Sequence, residues 1–119
     1  MTSWITICDT CKRDDWIEGA PTDGERLAAE VEAVAGHPVR VRRVACLMGC
    51  SHSCNVAIQG AGKLNYTLGR FEPTRAAAEA IVGYAVLHAA SATGQVPYRQ
   101  WPQGVKGHFV TRHPPLPEK

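Results

Sequence analysis

Long apolar runs are missing from this chain, and so is any strong excess of charge. No stretch reaches the ~18–20 apolar residues that a bilayer-crossing helix requires, so no membrane span is expected. Thirteen Lys and Arg stand against eleven Asp and Glu, a net charge of +2. A general nucleic-acid binder carries a strongly basic domain, so no nucleic-acid partner is expected either. The N-terminal residues lack a basic stretch followed by an apolar one, the pattern of a secretory leader, and the expected location is cytoplasmic. A glycine-rich phosphate loop, a nucleophile paired with a base, internal repeats and low-complexity blocks are also missing. No substrate-transforming site is therefore expected. At 119 residues the chain is long enough for one domain with a modest core.

Charge is scarce but unevenly placed. Eight acids precede His37 (Asp9, Asp14, Asp15, Glu18, Asp23, Glu25, Glu30 and Glu32) and three follow it, while ten of the bases follow it. Such a division gives solvated faces of opposite sign and can orient a docking partner.

What the chain does have is cysteine in two tight clusters. The first is Cys8-Asp9-Thr10-Cys11; the second runs from Cys46 through Cys50 to Cys54. In the cytosol, paired cysteines are metal ligands or redox groups more often than structural disulfides. An odd total of five cannot all pair within the chain. Core cysteines scattered by chance would not fall at these spacings.

The surrounding pattern predicts how the clusters meet. Trp4–Ile7 reads as a first strand, with the first cysteine pair directly after it. Lys12 to Pro21 reads as a loop. Thr22-Asp23-Gly24-Glu25 has capping-box form, so a helix is expected from Thr22, with Leu27, Val31 and Val34 on one face and Gly36 and Pro38 as its stop. Val39–Ala45 is a second strand that runs into Cys46. Asn55–Gln59 and Lys63–Phe71 are expected to form a hairpin around Gly60-Ala61-Gly62. Pro73 is expected at the first position of a long helix ending before Gly94. The order is β-α-β, then β-β-α: an α/β fold of thioredoxin-like arrangement. Residues 1–94 form this domain. Residues 95–119 form a tail rich in Pro and Gly, packed on the domain or on a partner.

In a β-α-β unit the carboxyl ends of the two parallel strands lie on one edge of the sheet. The loops that follow them meet there, and four sulfurs can converge from two loops. Thiolate is the soft ligand that iron–sulfur clusters and zinc favour, and a [2Fe–2S] cluster takes four such ligands. Backbone N–H groups around Gly49 are placed to hydrogen-bond cluster sulfurs.

The segment Cys46-Leu47-Met48-Gly49-Cys50, followed by an apolar strand, a Gly turn and Lys63-Leu64-Asn65-Tyr66, resembles the thioredoxin-like [2Fe–2S] ferredoxins. More closely, and over most of the chain including Pro97-Tyr98-Arg99 and Pro114-Pro115, the sequence resembles a family of small bacterial predicted metal-binding proteins. These have an N-terminal C-x-x-C, a C-L-x-x-C loop and a further cysteine four residues on. The resemblance implies electron transfer rather than enzymatic catalysis, with a redox partner enzyme, a homodimer, and cobalamin biosynthesis as the setting. The first pair departs from the ferredoxin pattern, where its members stand about ten to twelve residues apart. The expected ligands are Cys8, Cys11, Cys46 and Cys50, a two-plus-two set from two loops. Cys54 competes with Cys11 for the fourth place, and its structural alternative is a small buried hydrophobe at a strand start.

Two other chemistries fit the same residues. A Cys₄ zinc site also uses closely spaced cysteine pairs, and would make this a structural or regulatory module. A thiol–disulfide oxidoreductase would use Cys8-x-x-Cys11, but such a site needs a helix N-terminus at its first cysteine. Here the helix is expected only at Thr22, and Asp14 and Asp15 would raise a thiol pKa. The histidines are expected outside the site: His52 solvent-facing or behind the ligands, His37 in a loop, His88 at a core edge, His108 and His113 in the tail. Tyr98, Trp101 and Phe109 are expected to cover a core edge or a dimer seam.

Overall fold

The sheet is built outward from β1 (Ser3–Cys8). In the computed structural model, which describes residues 2–45, 47 and 54–117, six α-helices and β-strands follow it. They are α1 (Asp23–Val34), β2 (Val39–Val44), β3 (Val56–Gln59), β4 (Asn65–Leu68), α2 (Arg75–Ala90) and β5 (Phe109–His113). Sheet order is β2-β1-β3-β4-β5. β1 pairs with β2 in parallel and with β3 antiparallel, and β3-β4 is the expected hairpin. Among the described residues no helix is long and apolar enough to cross a membrane. This is a mixed α/β fold of thioredoxin-like arrangement with a fifth strand added by the tail.

Period-two alternation sorts the sheet into two faces. A continuous row crosses it at Val41, Ile5, Ile58 and Tyr66, on the side where α1 and α2 pack against each other and against β1. Ile5, Ile7, Val56, Ile58 and Leu68 are buried there with Leu27, Ala28 and Val31 of α1 and Ile81, Tyr84 and Ala85 of α2. The opposite face is polar: Arg42 donates to Thr6 Oγ1 at 2.7 Å and to Gln59 Oε1 at 3.0 Å.

Each helix starts where a side chain satisfies its first free N–H groups. Thr22 accepts from Glu25 N and Glu25 reaches back to Thr22 N, both at 3.1 Å, so the expected capping box forms. At α2 the start differs from expectation. Thr74 is the N-cap, accepting from Ala77 N at 3.1 Å, and Pro73 lies outside the helix. A hydroxyl can satisfy a first-turn donor and a proline ring cannot, so Thr74 takes the cap.

The tail is part of the core rather than an appendage. Val96 and Val105 are buried, β5 pairs antiparallel with β4, and Trp101 stacks on Phe109 with ring centroids 4.5 Å apart. Phe109 and Trp101 both meet Tyr84 edge-on, so the tail aromatics pack on the middle of α2. No strand was expected here. Phe109-Val110-Thr111 is a short β-prone run between Gly107 and Pro114, and pairing with β4 makes it a strand.

Two polar residues tie the hairpin to the end of α2. Lys63, expected within a strand, is buried and donates to the carbonyls of His88 and Ala89, both at 2.8 Å. These are last-turn carbonyls, which a helix leaves short of intrahelical donors. His88, expected at a core edge, is fully buried. Its Nε2–H donates to Leu64 O at 2.7 Å, which leaves Nδ1 to accept from the Ser3 hydroxyl at 2.6 Å. Burial lowers the His88 pKa, the Lys63 charge adds to this, and the Leu64 carbonyl opposes it. A histidine whose folded pKa is depressed stabilises the fold above its unfolded pKa of about 6.5. Below that pH the unfolded chain binds the proton that the native chain refuses, so stability falls. Urea midpoints should therefore drop between pH 7.5 and 5, and a His88→Asn variant, though less stable, should show a flatter profile over that window.

Candidate functional site

The chain leaves β1 and immediately folds back on itself. Cys8 closes the strand, and Gly24 N of α1 donates to Cys11 O at 3.0 Å. The Thr22 hydroxyl binds Asp9 O, and Arg13 N donates to Asp23 Oδ2 at 2.6 Å. The first turn of α1 thus sits on the Cys8–Cys11 loop. Contact is close enough that a Cβ on Gly24 would stand 2.0 Å from Cys8 O. The sequence separates this helix from Cys8 by a long loop; in space the helix N-terminus borders the cysteine pair.

A second set of contacts joins this loop to the end of β2. Asp9 N donates to Val44 O at 3.0 Å, the Thr10 hydroxyl binds Ala45 O, and Cys8 Sγ lies 3.9 Å from the same carbonyl. The Leu47 N–H donates to the Cys8 sulfur. Ala45 and Leu47, the neighbours of Cys46 in sequence, are therefore both bound to the first cysteine loop. Cys46, Gly49, Cys50 and His52 lie outside the described residues.

A third strand completes the surroundings. Asn55 O accepts from Cys8 N at 3.3 Å, and Cys11 Sγ donates to Asn55 Oδ1 at 2.8 Å. Cys54, next to it, exchanges backbone hydrogen bonds with Phe71 and is fully buried. Cys8, Cys11 and Cys54 are all buried within the core cluster.

The sulfurs are not equivalent. Burial pushes the Cys8 thiol up. Contacts with the Thr10 hydroxyl and the Cys11 thiol, and hydrogen bonds from the Leu47 and Thr10 backbone N–H groups, outweigh it and bring the pKa below the ordinary value. The expectation that Asp14 and Asp15 would set this pKa is corrected: both are exposed, and short-range donors to sulfur prevail over acids that water screens. Cys54 moves the other way. Burial first, then the nearby Cys11 sulfur and Asp23 carboxylate, push its thiol up to about 12 against a smaller pull from Arg13.

Among the described residues no three His, Cys, Asp or Glu side chains form a metal-holding group by themselves. Cys8 and Cys11 are the two expected ligands that the described residues contain. Their surroundings fit a thiolate-bound group: backbone donors converge on the Cys8 sulfur, and a buried donor with no partner among the described residues, Asn55 Nδ2, lies beside Cys11. The remaining histidines stand elsewhere. His108 stacks on Phe71 and binds Gly69 O at 2.8 Å, and His113 is on the exposed β5.

Sequence reasoning missed Asn55, Thr10 and Gly24. Thr10, inside C-x-x-C, carried the one readable signal, a hydroxyl between two thiols. Gly24 read only as part of a capping box, and Asn55 only as the start of a strand.

Fold and loops define a thioredoxin-like α/β domain with a buried cysteine pair at the carboxyl ends of its parallel strands. The chain belongs to the family described as a protein of unknown function (DUF1636), which it matches over residues 5–115. No curated protein and no solved structure gives a match. The matched span takes in both cysteine clusters and the tail through β5, so the fifth strand belongs to the family's own domain.

Proposed function

We propose that this chain is a small [2Fe–2S] electron-transfer protein, ligated by Cys8, Cys11, Cys46 and Cys50 and serving a redox partner enzyme in the cytoplasm. One observation carries the reading. Ala45 and Leu47, on either side of Cys46, are both bound to the Cys8–Cys11 loop, which supports two cysteine pairs contributed by adjoining loops. When bound, the cluster would accept and release one electron at a time. The chain's own part is threefold. Cys8 and Cys11 supply thiolates, Thr10 and the Leu47 N–H stabilise the charge on Cys8, and burial keeps water from both sulfurs. The homodimer and the setting in cobalamin biosynthesis are proposed on resemblance alone.

Cys54→Ser separates this ligand set from its competitor. The variant should keep the visible spectrum and the iron content of the parent. Bleaching by Cys54→Ser, with colour retained in Cys11→Ser, would move the fourth ligand to Cys54.

A second reading has its own support. The contact between the Cys8 and Cys11 side chains, and the α1 N-terminus against the loop, are features that a thiol–disulfide site uses to hold a thiolate. A metal-free protein whose Cys8–Cys11 pair oxidises and reduces reversibly would favour it. A colourless protein holding about one zinc would instead be a structural or regulatory module.

A further inference from the structure

Among the described residues, nothing satisfies a buried donor of Asn55. The residue is 1% exposed, its Oδ1 accepts from Cys11 Sγ at 2.8 Å, and its Nδ2 has no hydrogen-bond partner. Leaving a buried N–H unpaired costs more than an ordinary hydrogen bond gains, so such a group calls for an explanation. Its neighbour supplies one. A protonated sulfur is a donor and is matched by Oδ1. A thiolate is an acceptor only, and would face Oδ1 with two acceptors in contact. Rotating the amide by half a turn about its last side-chain bond presents Nδ2–H to the sulfur instead.

We propose that Asn55 is the positioning residue for Cys11 in its thiolate form: Nδ2–H donates to the ligating sulfur and raises the reduction potential of the bound cluster. The inference deepens the ferredoxin reading and rests on it. The direction follows from charge. Reduction adds an electron to a site already made anionic by thiolates, and a donor aimed at a ligand sulfur stabilises the more negative state. The backbone of Asn55 holds the donor in place. Its carbonyl accepts from Cys8 N, so one residue touches both cysteines of the pair. Its place at the foot of β3, paired with β1, fixes the side chain against the loop rather than leaving it to solvent.

Optical redox titration of the holoprotein tests this with Asn55→Leu, which keeps the bulk and the backbone carbonyl but has no donor. The variant should hold as much iron as the parent, with its reduction equilibrium weakened roughly tenfold, a fall of about 59 mV for a one-electron couple. Asn55→Asp is the second variant, used also where the leucine disturbs folding. Its carboxyl donates an O–H only when protonated, so its potential should fall as pH rises while the parent's stays flat. An intact cluster with an unmoved, pH-independent potential in these variants would overturn the role of Asn55 and leave the ferredoxin reading standing. Loss of the cluster from both variants in chains that still fold would also overturn it, making Asn55 a residue of assembly rather than of potential. A parent protein without iron would overturn both readings at once.

Discussion

Cys8→Ser should empty the site. Bound iron should fall from about two per chain to a small fraction of that, and the visible bands should disappear while the far-ultraviolet dichroism remains. Serine at neutral pH offers a hydroxyl in place of a thiolate, a far poorer ligand for iron. The Cys8 sulfur is also heavily contacted: the Thr10 hydroxyl and the Cys11 thiol lie against it, and two backbone N–H groups donate to it. Those N–H groups have no equally good acceptor once the sulfur is gone. Cys46→Ser and Cys50→Ser should have the same effect if the ligand set is complete. Full iron content in Cys8→Ser would remove the first loop from the site and leave the cluster to other ligands.

Gly24→Ala should destabilise the domain by up to about 2 kcal/mol, and two opposing magnitudes decide this. Alanine gains about 1 kcal/mol over glycine from helix propensity in a helix interior. Against that, the new Cβ would meet Cys8 O at 2.0 Å and Asp9 backbone atoms at 3.0 Å. The obstacle is backbone at the end of a buried strand, which cannot swing aside as a side-chain tip would. Overpacking of this kind typically costs 1–3 kcal/mol and occasionally more, and here it also pushes α1 off the cysteine loop and strains the hydrogen bond from Gly24 N to Cys11 O. Urea unfolding should show a lower midpoint with an unchanged slope, and the purified variant should hold less iron. A midpoint at or above the parent's would mean that the helix start and the loop are not in contact.

These two variants probe features of unequal legibility. The cysteine pairs, the capping box at Thr22 and the β-α-β-β-β-α order could be read along the chain because each depends on residues close in sequence. Spacing, local hydrogen bonds and period-two or helical patterning carry that information. The contact between Gly24 and Cys8 could not be read so, since it joins two elements across the loop from Lys12 to Pro21. Lys63 read only as the start of a strand, and its burial depends on the fold setting its ammonium against the His88 and Ala89 carbonyls. β5 hid within a tail dominated by Pro and Gly, because an edge strand's identity depends on the partner it finds. Asn55 gave no signal: a polar residue at a strand start is ordinarily solvated, and its meaning comes from Cys11, 44 positions away.

The same separation explains why the oxidoreductase alternative looked weaker in sequence than in space. The distance from Cys8 to the helix, counted along the chain, excluded a helix N-terminus at the thiol. The fold returns that helix to the loop and surrounds Cys8 with donors. Both electron transfer through a bound cluster and thiol exchange draw on a stabilised thiolate, so metal content distinguishes them where thiolate chemistry does not.

That distinction makes one measurement decisive. Freshly purified protein, kept anaerobic, should be coloured, with absorption between about 400 and 600 nm that bleaches with dithionite, and with about two irons and no zinc per chain. A colourless protein, whether it carries one zinc or no metal at all, would contradict the proposal that this cysteine site holds a [2Fe–2S] cluster.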